Sequence, residues 1–173
     1  ITGTNNNVEA LNKTMLKYKH DIENDNLYEI ITQTGGDVPL IASSTTEING
    51  AKIYCNTRYK VKNIVKDYVI LTSCVDGSMV KCNNYDIRNN FKLAYAITVN
   101  KAQGLEWENV CCFITSRDLN LKTFNALYVA LTRGKQNIII ASDDNGKGMS
   151  VRDLQNILNI KYKFHNNFKE MEK

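Results

Sequence analysis

Apolar positions recur at three- and four-residue intervals in some stretches of the chain and alternate or run together in others. The opening ITGT reads as a strand end. Val8, Leu11, Met15 and Tyr18 then follow helical spacing, and Asn5, Asn6 and Asn7 offer side-chain caps for that helix. Asp21 to Thr46 has little periodicity, contains Gly35-Gly36 and the only proline, Pro39, and predicts a loop with one short strand at Tyr28 to Thr32. From Gly50 the texture becomes short β runs: AKIYCNTRY, YVILTSC and MVKC, the last two separated by the turn Val75-Asp76-Gly77-Ser78. Asp-Gly between two strand-like runs predicts a hairpin.

Beyond Asn90 the pattern is α/β. KLAYAITV predicts a central strand, NVCCFIT a second, LKTFNALYVALTRGK a helix and NIIIAS a third strand. Runs such as VCCFI and NIIIA suit strands buried on both faces, as in a parallel sheet with helices packed on it. Phe124, Leu127, Tyr128 and Leu131 stand at i, i+3, i+4 and i+7 and predict one core-facing stripe on the helix 121–134. A further amphipathic stretch, Val151 to Leu158, precedes a basic, asparagine-rich tail, and there are no internal repeats. The expected division is therefore an α/β lobe over 1–49 and 91–150, an inserted β module over 50–90, and a C-terminal helix and tail over 151–173.

Composition changes this picture little. The chain has 173 residues, 43% hydrophobic and 23% charged, enough for one buried core with a small appended module. No run approaches the roughly 18 to 20 apolar residues of a membrane helix, and the start lacks the features of a secretory signal. Beginning at Ile1, the sequence reads as an excised piece of a longer protein. The five cysteines lack CxxC spacing, and Cys111-Cys112 sit within an apolar run, which suits small hydrophobes in a reducing intracellular compartment, cytoplasm or nucleus. A net charge of +4 is weak evidence for a nucleic-acid partner. The 50–90 module adds to it, because Lys52, Arg58, Lys60, Lys62, Lys66 and Lys81 are interleaved with Tyr54, Tyr59, Tyr68 and Tyr85, the mixture that tracks phosphates and stacks bases.

Two stretches concentrate chemistry. In AYAITVNKAQGLE, residues 94–106, a strand pattern runs into Thr98, Asn100, Lys101, Gln103 and Glu106 around Gly104, which places hydrogen-bonding groups past a strand end where open α/β sheets bind ligands. In the helix 121–134, Arg133 lies nine residues beyond Phe124, about 180° around, and is expected to point away from its own core. Ala126, Ala130 and Gly134, four apart, would leave a bare strip for another backbone. A solvated cation at a helix C-terminus would explain Arg133, as would a guanidinium presented to a phosphate. The stretch nearest to a phosphate-cradling GxxxxGK[ST] loop, Ala141 to Ser150, lacks its first glycine and has Gly148 in place of the hydroxyl residue, so it reads as a surface turn.

TVNKAQGLEWENV followed by LYVALTRGKQNIII resembles motifs V and VI of superfamily 1 helicases, especially the RecD-, Dda- and Pif1-like branch with a UvrD-type C-terminal domain. TGTNNNVEALN, with Asn12 as its second asparagine, resembles that branch's motif IV. The resemblance covers Leu93 to Ser142, and the family often inserts an SH3-like β module where 50–90 falls. It implies a second RecA-like lobe of the P-loop-NTPase type. In that family's terms Arg133 resembles an arginine finger on the γ-phosphate of ATP, and Gly104 and Glu106 lie where the nucleotide cleft is lined. Thr98 and Asn100 match positions that touch the nucleic-acid backbone, Thr4 and Asn5 match groups that hold a phosphate, and Lys60 and Lys62 would extend the strand contact. Asn100 replaces the usual motif V histidine, and Gly134 stands where alanine is usual.

The implied cofactors are ATP and Mg²⁺, held mainly by an N-terminal RecA-like lobe outside this sequence; no metal ligands are expected here. The implied partners are single-stranded DNA or RNA, that lobe, and replication or primase proteins, with translocation 5′ to 3′ and the isolated chain inactive. The Asn-, Lys- and Ile-rich usage hints at the A/T-rich genome of a large DNA virus. A second reading is a non-catalytic, degenerate helicase lobe that binds nucleic acid or docks a partner; intact Arg133 and Glu106 argue against it. A third is an unrelated α/β domain.

Overall fold

The computed structural model describes residues 1–114, 126 and 128–142. Phe124 and Leu127 of the expected stripe, the turn at 143–150 and the stretch 151–158 lie outside them. The chain forms two compact units, one of Glu9–Ala96 and one of Ile1–Val8 with Ile97–Lys173.

In the Glu9–Ala96 unit, α1 (Asn5–His20) supplies its C-terminal three turns, and the helix α2 (Leu27–Gln33) follows. Residues 28–32 are helical rather than the expected strand. Asn26 caps α2 through its side-chain oxygen, which accepts from the Tyr28 N–H, while its amide donates to Glu29 at 2.8 Å. Leu27, Ile30 and Ile31 then bury one face, a spacing too short to be seen as periodic. Five strands form an antiparallel sheet in the order β6-β5-β4-β1-β7: β1 (Leu40–Ala42), β4 (Arg58–Val65), β5 (Tyr68–Ser73), β6 (Met79–Cys82) and β7 (Phe91–Leu93). Between β1 and β4 the short hairpin β2 (Thr46–Ile48) and β3 (Ala51–Ile53) stands as its own ladder, and α3 (Asn84–Asn90) leads into β7.

Strict alternation of burial along β5 and β6 turns Val69, Leu71, Val80 and Cys82 inward. They pack with Leu16, Ile31, Leu40, Ile87 and Phe91 in one core. The Asp76-Gly77 turn joins β5 to β6 as expected, with Gly77 at φ 72°. The sheet nevertheless extends past the expected 50–90 limits, because β1 pairs with both β4 and β7, and these flanking residues complete the module.

The expected apolar stripe on α1 is displaced. Leu16 and Asn12 are its buried residues, whereas Met15 is 36% and Tyr18 84% exposed. Asn12 is buried because the backbone at 93–96 needs it: its amide donates to the Leu93 and Ala96 carbonyls at 3.2 Å each, and its oxygen accepts from the Ala96 N–H at 2.9 Å.

The second unit is built on parallel pairing. β8 (Trp107–Ile114) and β9 (Gly134–Ser142) pair in parallel over Trp107↔Gly134 to Ile114↔Ser142. Thr2 forms single parallel bridges to Phe113 on one side and Thr98 on the other, which gives the order 97–99, 1–2, β8, β9. The expected central strand 92–99 is thus divided: β7 belongs to the antiparallel sheet of the other unit, and only Thr98 bridges here. Val99, Val110, Cys112, Ala130 and Leu131 form the core of this unit. Tyr128 is half exposed rather than part of the stripe, and Gly134 opens β9 instead of ending the helix, so no bare helical strip runs through Ala126, Ala130 and Gly134. Cys111, Ile138 and Ile139 are exposed, so among the described residues nothing covers the Cys111–Ile139 face of the β8–β9 pair.

All five cysteines are unpaired; Cys82 and Cys112 are buried among apolar side chains, and burial, with the Asp86 charge second, pushes the Cys82 thiol up to about 12. Among the described residues no helix is long and apolar enough to cross a membrane.

Candidate nucleotide and nucleic-acid edges

At residue 98 the chain leaves extended backbone for the short helix α4 (Val99–Ala102). Thr98 has φ −73° and ψ 157°, and its hydroxyl accepts from the Lys101 N–H at 3.4 Å, which makes it the N-cap. Val99 and Ala102 face the core, so Asn100 and Gln103 are left exposed and Lys101 half-buried. Thr4 has the corresponding position on α1: its hydroxyl accepts from the Asn7 N–H at 3.3 Å and its carbonyl from the Val8 N–H at 3.1 Å. The cap of α1 is therefore Thr4, not the asparagine run, because Asn5 to Asn7 are already helical.

Past α4 the backbone turns through Gly104, whose φ of 78° favours glycine, and delivers Glu106 to the start of β8. Glu106 pairs with Lys135 of β9 at 3.0 Å. That hydrogen bond and charge, with Arg133 contributing less, hold the Glu106 carboxyl below the ordinary carboxylate range and raise Lys135.

Arg133 follows the helical residues 128–131 in a turn. Its guanidinium does not project freely away from the core. It donates through Nε to the Val129 carbonyl at 3.1 Å, through one terminal nitrogen to the Leu105 carbonyl at 3.4 Å, and through the other to the Thr132 hydroxyl at 3.2 Å. The Arg133 carbonyl in turn accepts from the Trp107 N–H at 2.9 Å. The stretches 98–107 and 128–135 are thus tied together by one arginine, through main chain and side chain.

Strand direction sorts these residues onto two edges. Thr2 is level with Phe113 and Thr98, so Thr4, Asn5 and Thr98 lie at the edge toward which β8 runs. Glu106 and Arg133 immediately precede Trp107 and Gly134, the paired first residues of β8 and β9. At about 3.3 Å per residue, the six steps from Trp107 to Phe113 separate the edges by roughly 20 Å. The sequence pattern places both groups together past a strand end; the structure puts them at two edges joined by α4 and the Gly104 turn.

Lys60 and Lys62 belong to the other unit, exposed on the outward face of β4. The register places Lys60 beside Thr72 and Thr72 beside Met79, while Ile70 stands beside Lys81. Lys62 Nζ lies 3.0 Å from Met79 Sδ, and Lys81 Nζ lies 3.8 Å over the Tyr68 ring. None of the three strands contains an acidic residue, so this face is basic with apolar and aromatic groups between the charges. Pattern reading missed Lys135 as Glu106's partner, although a lysine two residues after Arg133 was visible.

Residues 93–141 match the family model for the UvrD-like helicase C-terminal domain. The chain is 34% identical over 71 residues to the ATP-dependent RecD2 DNA helicase of Deinococcus radiodurans, covering 41% of this chain and 10% of that protein. It is 33% identical over 57 residues to the RecBCD enzyme subunit RecD of Buchnera aphidicola, again covering 10% of the relative. It therefore spans about a tenth of these curated relatives. In fold it is similar to a Pif1 helicase described in a study of DNA unwinding at forked duplex DNA, with TM-score 0.52, 17% identity, 96% of this chain and 44% of that one. Bacteroides Pif1 bound to single-stranded DNA gives the same TM-score at 16% identity, covering 96% of this chain and 46% of that chain. These likenesses carry the RecA-like α/β fold. By motif and by fold together, the chain resembles the C-terminal lobe of RecD- and Pif1-like superfamily 1 helicases, with the UvrD-like C-terminal domain at residues 93–141.

Proposed function

We propose that this chain is the second motor lobe of an ATP-dependent, nucleic-acid-translocating helicase, working against a P-loop-bearing lobe of the same protein. The observation that carries the reading is the two-edged arrangement of the unit formed by Ile1–Val8 and Ile97–Lys173. Arg133 and Glu106 stand together at one edge, and Thr4, Asn5 and Thr98 stand at the other. ATP with Mg²⁺ supplies the phosphoryl chemistry when bound. The planar guanidinium of Arg133 would neutralise charge on the γ-phosphate, and Glu106 with the Gly104 turn would line the ribose side. By the same family resemblance, Mg²⁺ would rest mainly on the other lobe.

At the opposite edge, the Thr98 hydroxyl keeps its proton to donate after accepting from Lys101, and the N-terminus of the 16-residue α1 offers N–H groups beside Thr4 and Asn5; both suit a strand's phosphates. Asn100, exposed on α4, can add a neutral hydrogen bond there. The Glu9–Ala96 unit is read as the inserted SH3-like module. Its support is the strand order β6-β5-β4-β1-β7, with a hairpin between β1 and β4 and the seven-residue helix α3 before the last strand. The basic face bearing Lys60 and Lys62 would give this unit its own contact to single-stranded nucleic acid.

The test is Arg133→Ala in the full-length protein that contains this chain. DNA-stimulated ATP turnover should fall by about 10³ or more, while single-strand affinity stays within a few-fold. Unchanged turnover would sink the arginine-finger role and favour the non-catalytic reading.

A further inference from the structure

We propose that Lys135 is a positioning residue whose task is to hold the Glu106 carboxylate away from Arg133, so that the arginine's charge stays available to an incoming phosphate. This rests on the nucleotide reading of the Arg133 edge. An arginine beside a carboxylate ordinarily closes a bidentate ion pair, because the guanidinium fork and the carboxylate match in shape. Glu106 directly follows Leu105, whose carbonyl accepts from the Arg133 guanidinium at 3.4 Å, yet the guanidinium's hydrogen bonds go to the Leu105 and Val129 carbonyls and the Thr132 hydroxyl. All three are neutral acceptors that a phosphate outcompetes. The carboxylate instead meets Lys135 at 3.0 Å.

The strand register makes this choice possible. Trp107 of β8 is level with Gly134 of β9, and the Trp107 N–H is bonded to the Arg133 carbonyl. Residues 106 and 135 are thereby brought into reach diagonally across the first rung of the pair. Lys135 and Glu106 are each 54% exposed, so the pair is readily opened and serves to direct the carboxylate rather than to stabilise the fold. Without the lysine, Glu106 would turn to Arg133, the cation nearest it in the strand pairing among the described residues of that edge, and every nucleotide would first have to displace it. Once displaced, the transition-state contact of Arg133 would be intact. The signature is therefore a weakened nucleotide affinity with turnover at saturation preserved.

The experiment is a double-mutant cycle in the full-length protein, with Lys135→Ala, Glu106→Gln and the two combined. The readouts are KM and kcat for ATP and the Kd of a fluorescent ATP analogue. Lys135→Ala should raise KM and Kd by about two- to fivefold, the range of exposed charge pairs, with kcat nearly unchanged. The same change in the Glu106→Gln background should have no effect, and Lys135→Arg should behave as wild type. The Arg133 Nε–H resonance should shift in Lys135→Ala and not in the double variant. Equal effects of Lys135→Ala in both backgrounds would overturn the proposal, because the lysine would then act on the nucleotide or the fold directly. No effect in the wild-type background would overturn it as well. If Arg133→Ala abolishes turnover while the cycle is additive, the positioning role alone fails; if Arg133→Ala is silent, the nucleotide reading itself fails.

Discussion

Replacing Asn12 by alanine should cost the Glu9–Ala96 unit far more than its position on an amphipathic helix suggests. The side chain is 7% exposed and makes three hydrogen bonds, two to carbonyls at 3.2 Å and one from an N–H at 2.9 Å. A net hydrogen bond contributes about 1 kcal/mol, and a buried polar group left unpaired costs about 1–3 kcal/mol. Losing all three and stranding the Ala96 N–H should therefore destabilise by about 2–4 kcal/mol. With a urea dependence of about 1–2 kcal/mol per molar, the unfolding midpoint followed by circular dichroism should drop by roughly 1–4 M. Asn12→Leu, similar in size, separates packing from hydrogen bonding: it should be as damaging as alanine. Asn12→Asp keeps one acceptor, sets a carboxylate against two carbonyls, and should be worst at neutral pH. Hydrogen exchange at the Ala96 amide should lose protection in each variant. A shift below about 0.3 M for Asn12→Ala, or a leucine variant as stable as wild type, would refute the claim that hydrogen bonding rather than packing holds residues 93–96.

Gly104→Ala meets no neighbouring atom but forces φ 78° on a side-chain-bearing residue, so it should cost about 1–2 kcal/mol and loosen the Glu106 loop; a melting temperature equal to wild type would show that the turn relaxes freely. Removing charge at Lys60 and Lys62 together should flatten the slope of log affinity for single-stranded DNA against log salt by about 1.4, at roughly 0.7 per phosphate contact, and an unchanged slope would rule out a strand contact at the basic β4 face. Glu106 should titrate below the ordinary carboxylate range in carboxyl-detected NMR. Because its folded pKa is depressed by Lys135, the pairing is present above the unfolded carboxylate pKa and is lost as pH falls through the lowered value; a midpoint at or above the ordinary range would contradict the ion pair.

What could be read from the sequence followed how local each signal was. The Asp76-Gly77 hairpin and the β8 and β9 runs are dictated within a few residues, and they form as expected. The segment 27–33 reads as strand-like because its apolar triplet is too short to display a period. Its helical state is set by the Asn26 cap and by burial of Ile30 and Ile31, which only tertiary packing supplies. The α1 face was misread for a related reason: Asn12 counts as polar in any hydrophobicity pattern, yet its three backbone bonds make it a core residue. KLAYAITV looks continuous because alternation does not reveal which partner each half takes, and β1 claims residues 91–93 while Thr2 claims residue 98. The candidate site residues, and the assignment of Thr98 and Asn100 to nucleic acid and of Gly104 and Glu106 to nucleotide, came from the motif resemblance. Their separation along the strands was not legible, because it depends on strand direction and register.

That separation bears on the stretch 98–106 as a whole. Thr98 and Glu106 are eight positions apart in the sequence but sit at opposite edges of the parallel strands, roughly 20 Å apart along β8. The connection between them is short and hydrogen-bonded throughout. The Thr98 hydroxyl and carbonyl cap α4, the Gln103 and Leu105 N–H groups bond back to Asn100 and Ala102, and the Leu105 carbonyl receives Arg133. A phosphate drawing the Arg133 guanidinium away would release the Leu105 carbonyl, the last link of that chain. If the edges are coupled this way, Thr98→Val, which removes the hydroxyl at nearly constant shape, should weaken single-strand binding and also reduce the factor by which DNA stimulates ATP turnover. Loss of strand affinity with undiminished stimulation at saturating DNA would mean that α4 carries no signal between the edges.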